Sequence, residues 1–301
     1  MTTKPQLHLV GEQTLESGVQ ESSVQAGWDQ VSSDLNAHGS AVLQKLLTPR
    51  DCERLAARYA GDHGFRSRIV MSRHGFGRGE YKYFSYPLPE PIASLRSTLY
   101  PPLAAIANDW NTRLGVETRF PATHAAFLAR CHQAGQSRPT PLLLQYGPDD
   151  YNCLHQDLYG DLVFPLQVTI LLSEPGRDFT GGEFVITEQR PRMQSRAEVV
   201  PLRQGDGVIF AVHHRPVSGT KGDYRVNLRH GSAASAPDAA TPSASSSMMR
   251  SDGDEVGRGG APVTKLPASQ GPASLRGQMP VDNRDKHRHG SRRGRWAAMP
   301  P

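Results

Sequence analysis

The sequence predicts an α+β chain in which helices come first and a β-sandwich or barrel of short strands follows. Three observations predict it. Apolar residues recur at helical spacing over residues 28–60 and again over 92–115. From Pro141 onward, five apolar runs of five to nine residues take over, each bounded by Gly, Pro, Asp or Arg. The two ends, residues 1–25 and 232–301, carry no periodicity.

Taken in order, residues 1–25 are polar and predict a disordered lead-in. Trp28, Val31 and Leu35 open a helical stretch. Thr48-Pro49-Arg50-Asp51 renews it with an N-cap, a first-turn proline and an acidic residue ahead of Leu55, Ala56 and Tyr59. Phe65 to Pro87 is rich in Gly, Arg and aromatics and reads as strands and loops. Ile92, Leu95, Leu99, Leu103, Ile106 and Trp110 mark the next helix. Strands are then expected at Leu142–Tyr146, Phe164–Leu172, Glu183–Thr187, Glu198–Leu202 and Gly207–Val212. After Gly231 the chain reads SAASAPDAATPSASSSMM and then Gly, Pro, Ser and Arg. That composition cannot bury enough surface to fold, so 232–301 is expected to be a disordered basic tail.

Composition narrows the function classes. The chain has 301 residues, 37% of them apolar, enough for one large domain or two small ones. No apolar run approaches the roughly 18 residues that suggest a membrane span. The N-terminus lacks an apolar signal core, so a cytoplasmic location with no membrane partner is expected. Cys52, Cys131 and Cys153 are too few and too scattered for a disulfide framework or a zinc site. The formal charge is +5, but residues 232–301 hold ten Lys/Arg and six Asp/Glu and so carry +4 of it. The folded part is near neutral, and the basic pI does not by itself point to a nucleic-acid-binding domain.

The chemistry centres on Asn152-Cys153-Leu154-His155-Gln156-Asp157. His-x-Asp on an extended segment puts both side chains on one face. An imidazole and a carboxylate side by side bind Fe(II) once a second His arrives from elsewhere, and the trio leaves coordination positions open on one face. The tripeptide alone is common. Downstream, Phe179-Thr180-Gly181-Gly182-Glu183-Phe184 gives a Gly-Gly-Glu entry to one strand, and Gly205-Asp206 turns into the next.

From about Leu43 to His230 the chain resembles a bacterial family of 2-oxoglutarate/Fe(II)-dependent oxygenases described as acting in oxidative demethylation of damaged DNA. The segments that carry the resemblance are RHGFGRGEYKYFSYPLP (73–89), RPTPLLLQYGPDDYNCLHQDLYG (138–160), EPGRDFTGGEFVITEQRPRMQSR (174–196) and RPVSGTKGDYRVNLRHG (215–231). The resemblance implies a double-stranded β-helix (a cupin-like jelly roll) with its core at about 138–231 inside a domain spanning 26–231. It also implies Fe(II), 2-oxoglutarate as small-molecule co-substrate, dioxygen, and DNA as the partner. A hydroxylase of a protein or small molecule, and a non-catalytic member of the fold, are the alternatives.

The resemblance makes His155 and Asp157 catalytic metal ligands and leaves two candidates for the third. His214 is followed by Arg225 eleven residues on, close to the spacing at which the wider superfamily places an Arg that pairs with the far carboxylate of 2-oxoglutarate. His230 stands in a His-Gly that, in the resembled family, opens the same pattern; it is the preferred ligand and His214 the alternative. Tyr146, nine residues before His155, is either a contact to 2-oxoglutarate or a plain core aromatic. Arg73, Arg78, Tyr81, Lys82 and Tyr83 either grip a phosphate backbone and stack a base or form a surface loop.

The expected last strand is absent, and the reading frame supplies a reason. Take DNA encoding Gly-Val-Ser-Arg-Val-Arg-Ser-Gly-Arg-Arg-His-Thr-Leu-Gly-Ile-Ile-Phe-His-Asp-Ala with suitable codons, and delete one base at the first Gly codon. It then reads as Gly231 to Arg250 of this chain. On this reading the C-terminus is frameshifted after Gly231, the last core strand is missing, and the Arg position falls near Ala240. The chain is then expected to hold 2-oxoglutarate more weakly. The alternative is a natural disordered tail.

Overall fold

A computed structural model describes residues 27–158 and 160–236, together with the backbone of 243–249. The expected lead-in over 1–25 lies outside the described residues, as does most of the expected tail.

The first helix, α1 (Trp28–His38), turns Val31 and Leu35 inward. It stops at Gly39, whose φ of 79° is left-handed and whose N–H donates to Leu35 O at 2.9 Å. A Cβ at Gly39 would lie 2.3 Å from the Leu228 side chain, so glycine is required there by conformation and by space. The expectation of helix throughout 28–60 is corrected here. Ser40–Leu43 leaves the stop as strand β1 and pairs with residues 207–210. The helix resumes as α2 (Pro49–Ala57), where the Thr48 hydroxyl accepts from Asp51 N–H.

Strands β2 (Phe65–Val70) and β3 (Glu80–Phe84) follow, then α3 (Glu90–Arg113), which buries Ile92, Leu95, Leu99, Leu103, Ile106 and Trp110 as the spacing requires. Helix α4 (His124–Gln133), capped by Thr123, was not expected. It buries only Phe127 and Cys131, too few residues to mark a helical period.

The remaining strands are β4 (Leu142–Tyr146), β5 (Asn152–His155), β6 (Leu166–Leu171), β7 (Phe184–Gln189), β8 (Arg196–Val200), β9 (Gly207–Ala211), β10 (His214–Gly219), β11 (Gly222–Ser232) and β12 (Ser243–Met249). One sheet has the order β1-β9-β6-β12-β4-β3-β2. The other runs β10-β11-β7-β8, with β5 also paired to β11. Every pairing between named strands is antiparallel. From β4 to β12 the chain passes repeatedly from one sheet to the other, which makes the fold a double-stranded β-helix with N-terminal helices, α+β in class.

Strand β6 shows how the layers divide. Leu166, Val168 and Ile170 join the same apolar cluster as Ile92, Leu95 and Leu99 of α3, while Gln167, Thr169 and Leu171 face a cavity on the other side. The first sheet therefore has its main core on one face and a functional wall on the other.

Three expectations are corrected. The last core strand is not missing as backbone: β12 lies between β4 and β6, with Ser243 opposite Tyr146 and Ser247 opposite both Leu142 and Thr169. Strand pairing uses main-chain N–H and C=O groups, so two facing strand edges accept an extended segment whatever its side chains. Nor is the tail unstructured throughout. Beyond β11, Ser235 N–H donates to Asp150 O at 3.0 Å and Ala236 N–H to Thr180 O at 2.8 Å. Tyr81, Lys82 and Tyr83 are buried on β3, so they do not form a surface loop or a nucleic-acid grip. Lys82 Nζ donates to Tyr59 O, Gly61 O and Asp62 Oδ1 at 2.8–2.9 Å.

Candidate metal centre

The second half of β11 meets β5, and this pairing places His230 opposite His155. Gly231 makes the approach possible: a Cβ there would sit 2.6 Å from Asn152 O. The two imidazole rings lie 4.2 Å apart between centroids. Asp157, just past the end of β5, closes the group. Its Oδ1 is 3.6 Å from His155 Nε2 and its Oδ2 is 3.4 Å from His230 Nε2. The ligand atoms of all three lie within 4.8 Å of one another, the one such group of His, Cys, Asp or Glu among the described residues. Donors each about 2.1 Å from a common ion stand roughly 3–4 Å apart, and the two separations at Asp157, 3.6 and 3.4 Å, fall in that range.

The surroundings favour a divalent cation. His155 Nδ1 is 2.8 Å from Cys153 O. A carbonyl oxygen can only accept, so Nδ1 carries the proton and Nε2 presents its lone pair toward Asp157. Asp157 is 8% exposed and His230 5%. The His230 ring packs against Phe210 at 4.4 Å, and its Nδ1 is buried without a hydrogen-bond partner among the described residues. Two imidazole nitrogens and one buried carboxylate are a donor set that suits a divalent transition-metal ion held at Nε2 and Oδ.

His214 lies elsewhere. It opens β10 opposite Asn227, with its Nδ1 2.9 Å from His213 Nδ1. Burial pushes its pKa down to about 4, with smaller contributions from His213 and Arg225. Arg225 stands on the first half of β11, opposite Pro216 and exposed. The structure thus brings His155, Asp157 and His230 together and leaves His214 and Arg225 apart.

The three residues border a cavity of about 670 Å³ between the sheets. Tyr146 lines it from β4. Burial pushes the Tyr146 phenol up to about 12, against the opposing pull of hydrogen bonds from the Ser232 and Asn152 side chains. Asn152, Gln167, Thr169, Thr180, Glu183 and Ser232 add polar groups to the lining, and Gln167, Thr169 and Ser232 were not singled out from the sequence. The signal for Gln167 and Thr169 was available: they are the polar alternates inside the apolar run Phe164–Leu172. Arg73 and Arg78 are exposed on the mouth loop, residues 71–79 between β2 and β3, whose Gly75 and Phe76 line the cavity, and Phe76 stacks on His74 at 5.4 Å.

No helix among the described residues is long and apolar enough to cross a membrane. The profile of a family described as an oxygenase catalysing oxidative methylation of damaged DNA matches residues 79–236, over half of the chain. Uncharacterized protein Rv2227 of Mycobacterium tuberculosis (strain ATCC 25618 / H37Rv) is 51% identical over 148 residues, which are 49% of this chain and 64% of that protein. Uncharacterized protein MT2286 of strain CDC 1551 / Oshkosh aligns with the same figures. The chain therefore spans 64% of the length of these curated relatives. Among solved structures, a Pseudomonas putida prolyl-4-hydroxylase aligns over 73% of this chain and 96% of its own, at 14% identity and a TM-score of 0.45. A Trichoplax adhaerens prolyl hydroxylase aligns over 75% and 89%, at 12% identity and a TM-score of 0.46. With its profile match running from the end of the mouth loop to just beyond β11, the chain belongs to this oxygenase family.

Proposed function

We propose that the chain is a dioxygenase dependent on Fe(II) and 2-oxoglutarate, with His155, Asp157 and His230 as the iron ligands. The observation that carries this is the convergence of two imidazoles and a carboxylate on β5 and β11 at the edge of a cavity. When bound, Fe(II) with 2-oxoglutarate and dioxygen supplies the oxidising power to hydroxylate an unactivated C–H bond. The chain's own residues orient and shield that chemistry. The Cys153 carbonyl fixes the His155 tautomer, and Phe210 packs against the His230 ring. The apolar walls, Met71, Leu142, Leu144 and Phe179 among them, exclude water from the space in front of the ligands. Tyr146, Asn152 and Ser232 offer a polar contact to a ligand held there.

We take alkylated DNA as the substrate. The family description supports it, as do Arg73, Arg78 and the His74–Phe76 stack beside the cavity. Arginines on such a loop contact phosphates, and stacked rings receive a base turned out of its strand. The catalytic domain on this reading is 26–231, joined by β12 from the tail. We also read the sequence after Gly231 as out of frame; the family match, which stops at residue 236, supports it. The nucleotide sequence around the Gly231 codon tests that point.

The functional test is iron-dependent formation of succinate from 2-oxoglutarate, with formaldehyde release from N-methylated single- and double-stranded DNA. Succinate and formaldehyde formed together, and lost in Asp157→Ala, are expected. Succinate without formaldehyde on any DNA would move the substrate to a protein side chain or small molecule. Neither product, from metal-loaded protein, would favour a non-catalytic member of the fold.

A further inference from the structure

We infer that the cavity beside the metal centre, although it admits 2-oxoglutarate, holds a 2-oxo acid with an uncharged tail more tightly than that dicarboxylate. This rests on the reading of His155, Asp157 and His230 as a metal centre. A 2-oxo acid that chelates a metal does so through its 1-carboxylate and keto oxygen, so its tail must enter the adjoining space. The residues that line this space decide which tail is held.

One wall is formed by Leu142, Leu144 and Tyr146 of β4 and Gln167, Thr169 and Leu171 of β6. Strand β12 runs between these two strands, and its sequence, Ser243 to Met249, contains only Ser, Ala and Met. Among the described residues that line the cavity there is no Lys and no Arg. The basic residues nearby are engaged elsewhere or lie outside. Lys82 follows the cavity-lining Tyr81 on β3 and is held by Tyr59 O, Gly61 O and Asp62. Arg177 forks onto Asp178, and the exposed Arg78 lies 3.8 Å from Asp150. Arg73 is exposed on the mouth loop.

The charged groups that do line the space, Asp157 and Glu183, have the same sign as a distal carboxylate. Such a carboxylate would lose water and gain only hydroxyls, amides and carbon. A methyl group in its place buries against Leu142, Leu144 and Leu171 without that cost. Leaving a buried charge without its partner costs on the order of a hundredfold or more in affinity. Water reaching the cavity mouth reduces this, so a preference of at least about tenfold is expected.

The test uses the full chain. Mn(II) binding, and its loss in Asp157→Ala, first establishes the metal centre; no binding would sink the metal reading and this inference with it. Anaerobic Fe(II)-loaded protein is then titrated with 2-oxoglutarate and with 2-oxopentanoate, its five-carbon analogue ending in methyl. The readout is the visible charge-transfer band of a 2-oxo acid chelated to Fe(II). Tighter binding of 2-oxopentanoate by at least tenfold is the expected result. Equal affinities, tighter 2-oxoglutarate, or no binding of either acid to metal-loaded protein would overturn the inference. A second variant, Thr169→Lys, sets a cation in the wall. Provided it still binds Mn(II), it should gain at least tenfold for 2-oxoglutarate and nothing for 2-oxopentanoate; no gain for 2-oxoglutarate would count against the inference. The comparison of the two acids on the unmodified chain stands whether or not that variant folds.

Discussion

Substituting Gly231 by Ala should damage the metal centre without touching a ligand. Gly231 follows His230 on β11, and its missing Cβ would lie 2.6 Å from Asn152 O and 3.2 Å from the Cys153 carbonyl carbon and oxygen. Ordinary contact begins at about 3.4 Å, so β5 and β11 must part by roughly 0.8 Å at this point. That displacement falls between His155 and His230 and moves the carbonyl that holds His155 Nδ1. Metal–ligand distances tolerate only about 0.2 Å, and disturbing the groups that orient ligands typically costs about 10- to 100-fold in metal affinity. Overpacking of this kind also costs about 1–3 kcal/mol of stability. The assay is Mn(II) titration beside thermal unfolding of the metal-free protein. The control is Gly61→Ala, where a Cβ meets nothing within 4 Å and the backbone is extended, so both readouts should match the parent. A Gly231→Ala protein with Mn(II) affinity within twofold of the parent would refute the reasoning.

Two further outcomes follow from groups away from the cavity. Arg215, 1% exposed, is bonded to Glu188 and to Asn36 O, and Arg190 donates to the other Glu188 oxygen at 2.8 Å. Glu188→Ala should lose about 3–5 kcal/mol in denaturant unfolding, because it strands a buried cation, while Glu188→Leu with Arg215→Met should recover most of the loss; equal losses would contradict the pairing argument. Burial, with Arg96 nearby, holds the His124 pKa down at about 4. The unfolded chain takes up this proton from about pH 6.5 downward and the folded chain only near 4, so stability should fall as pH drops across that window. His124→Gln should flatten that part of the stability profile, and an unchanged slope would show that other groups set it.

The parts of the fold legible in the sequence were those with one dominant physical cause. The run Leu142–Tyr146, stopped by Gly147-Pro148, is β4 to the residue, and Thr48 caps α2 as its sequence requires. The β10–β11 hairpin went unread because Arg215 occupies a fully buried strand position where an apolar residue would have marked the period. Strand β1 was hidden inside a helical pattern that only the left-handed Gly39 interrupts. Composition argued against any strand after Gly231, but β12 occupies a slot defined by the edges of β4 and β6 rather than by its own residues. At the site, His155 and Asp157 share a local signature. The placement of His230 beside them depends on the long-range pairing of β11 with β5, so the sequence alone preferred His230 but kept His214 as the alternative.

The most direct test is metal stoichiometry across four variants. Mn(II), or Fe(II) without oxygen, is titrated into the full chain and into His155→Ala, Asp157→Ala, His230→Ala and His214→Ala, with thermal unfolding as a check on folding. One ion per chain is expected, lost or weakened by orders of magnitude in the first three and unchanged in His214→Ala. Binding that survives in His230→Ala but disappears in His214→Ala, with both proteins folded, would contradict the assignment of the centre to β5 and β11.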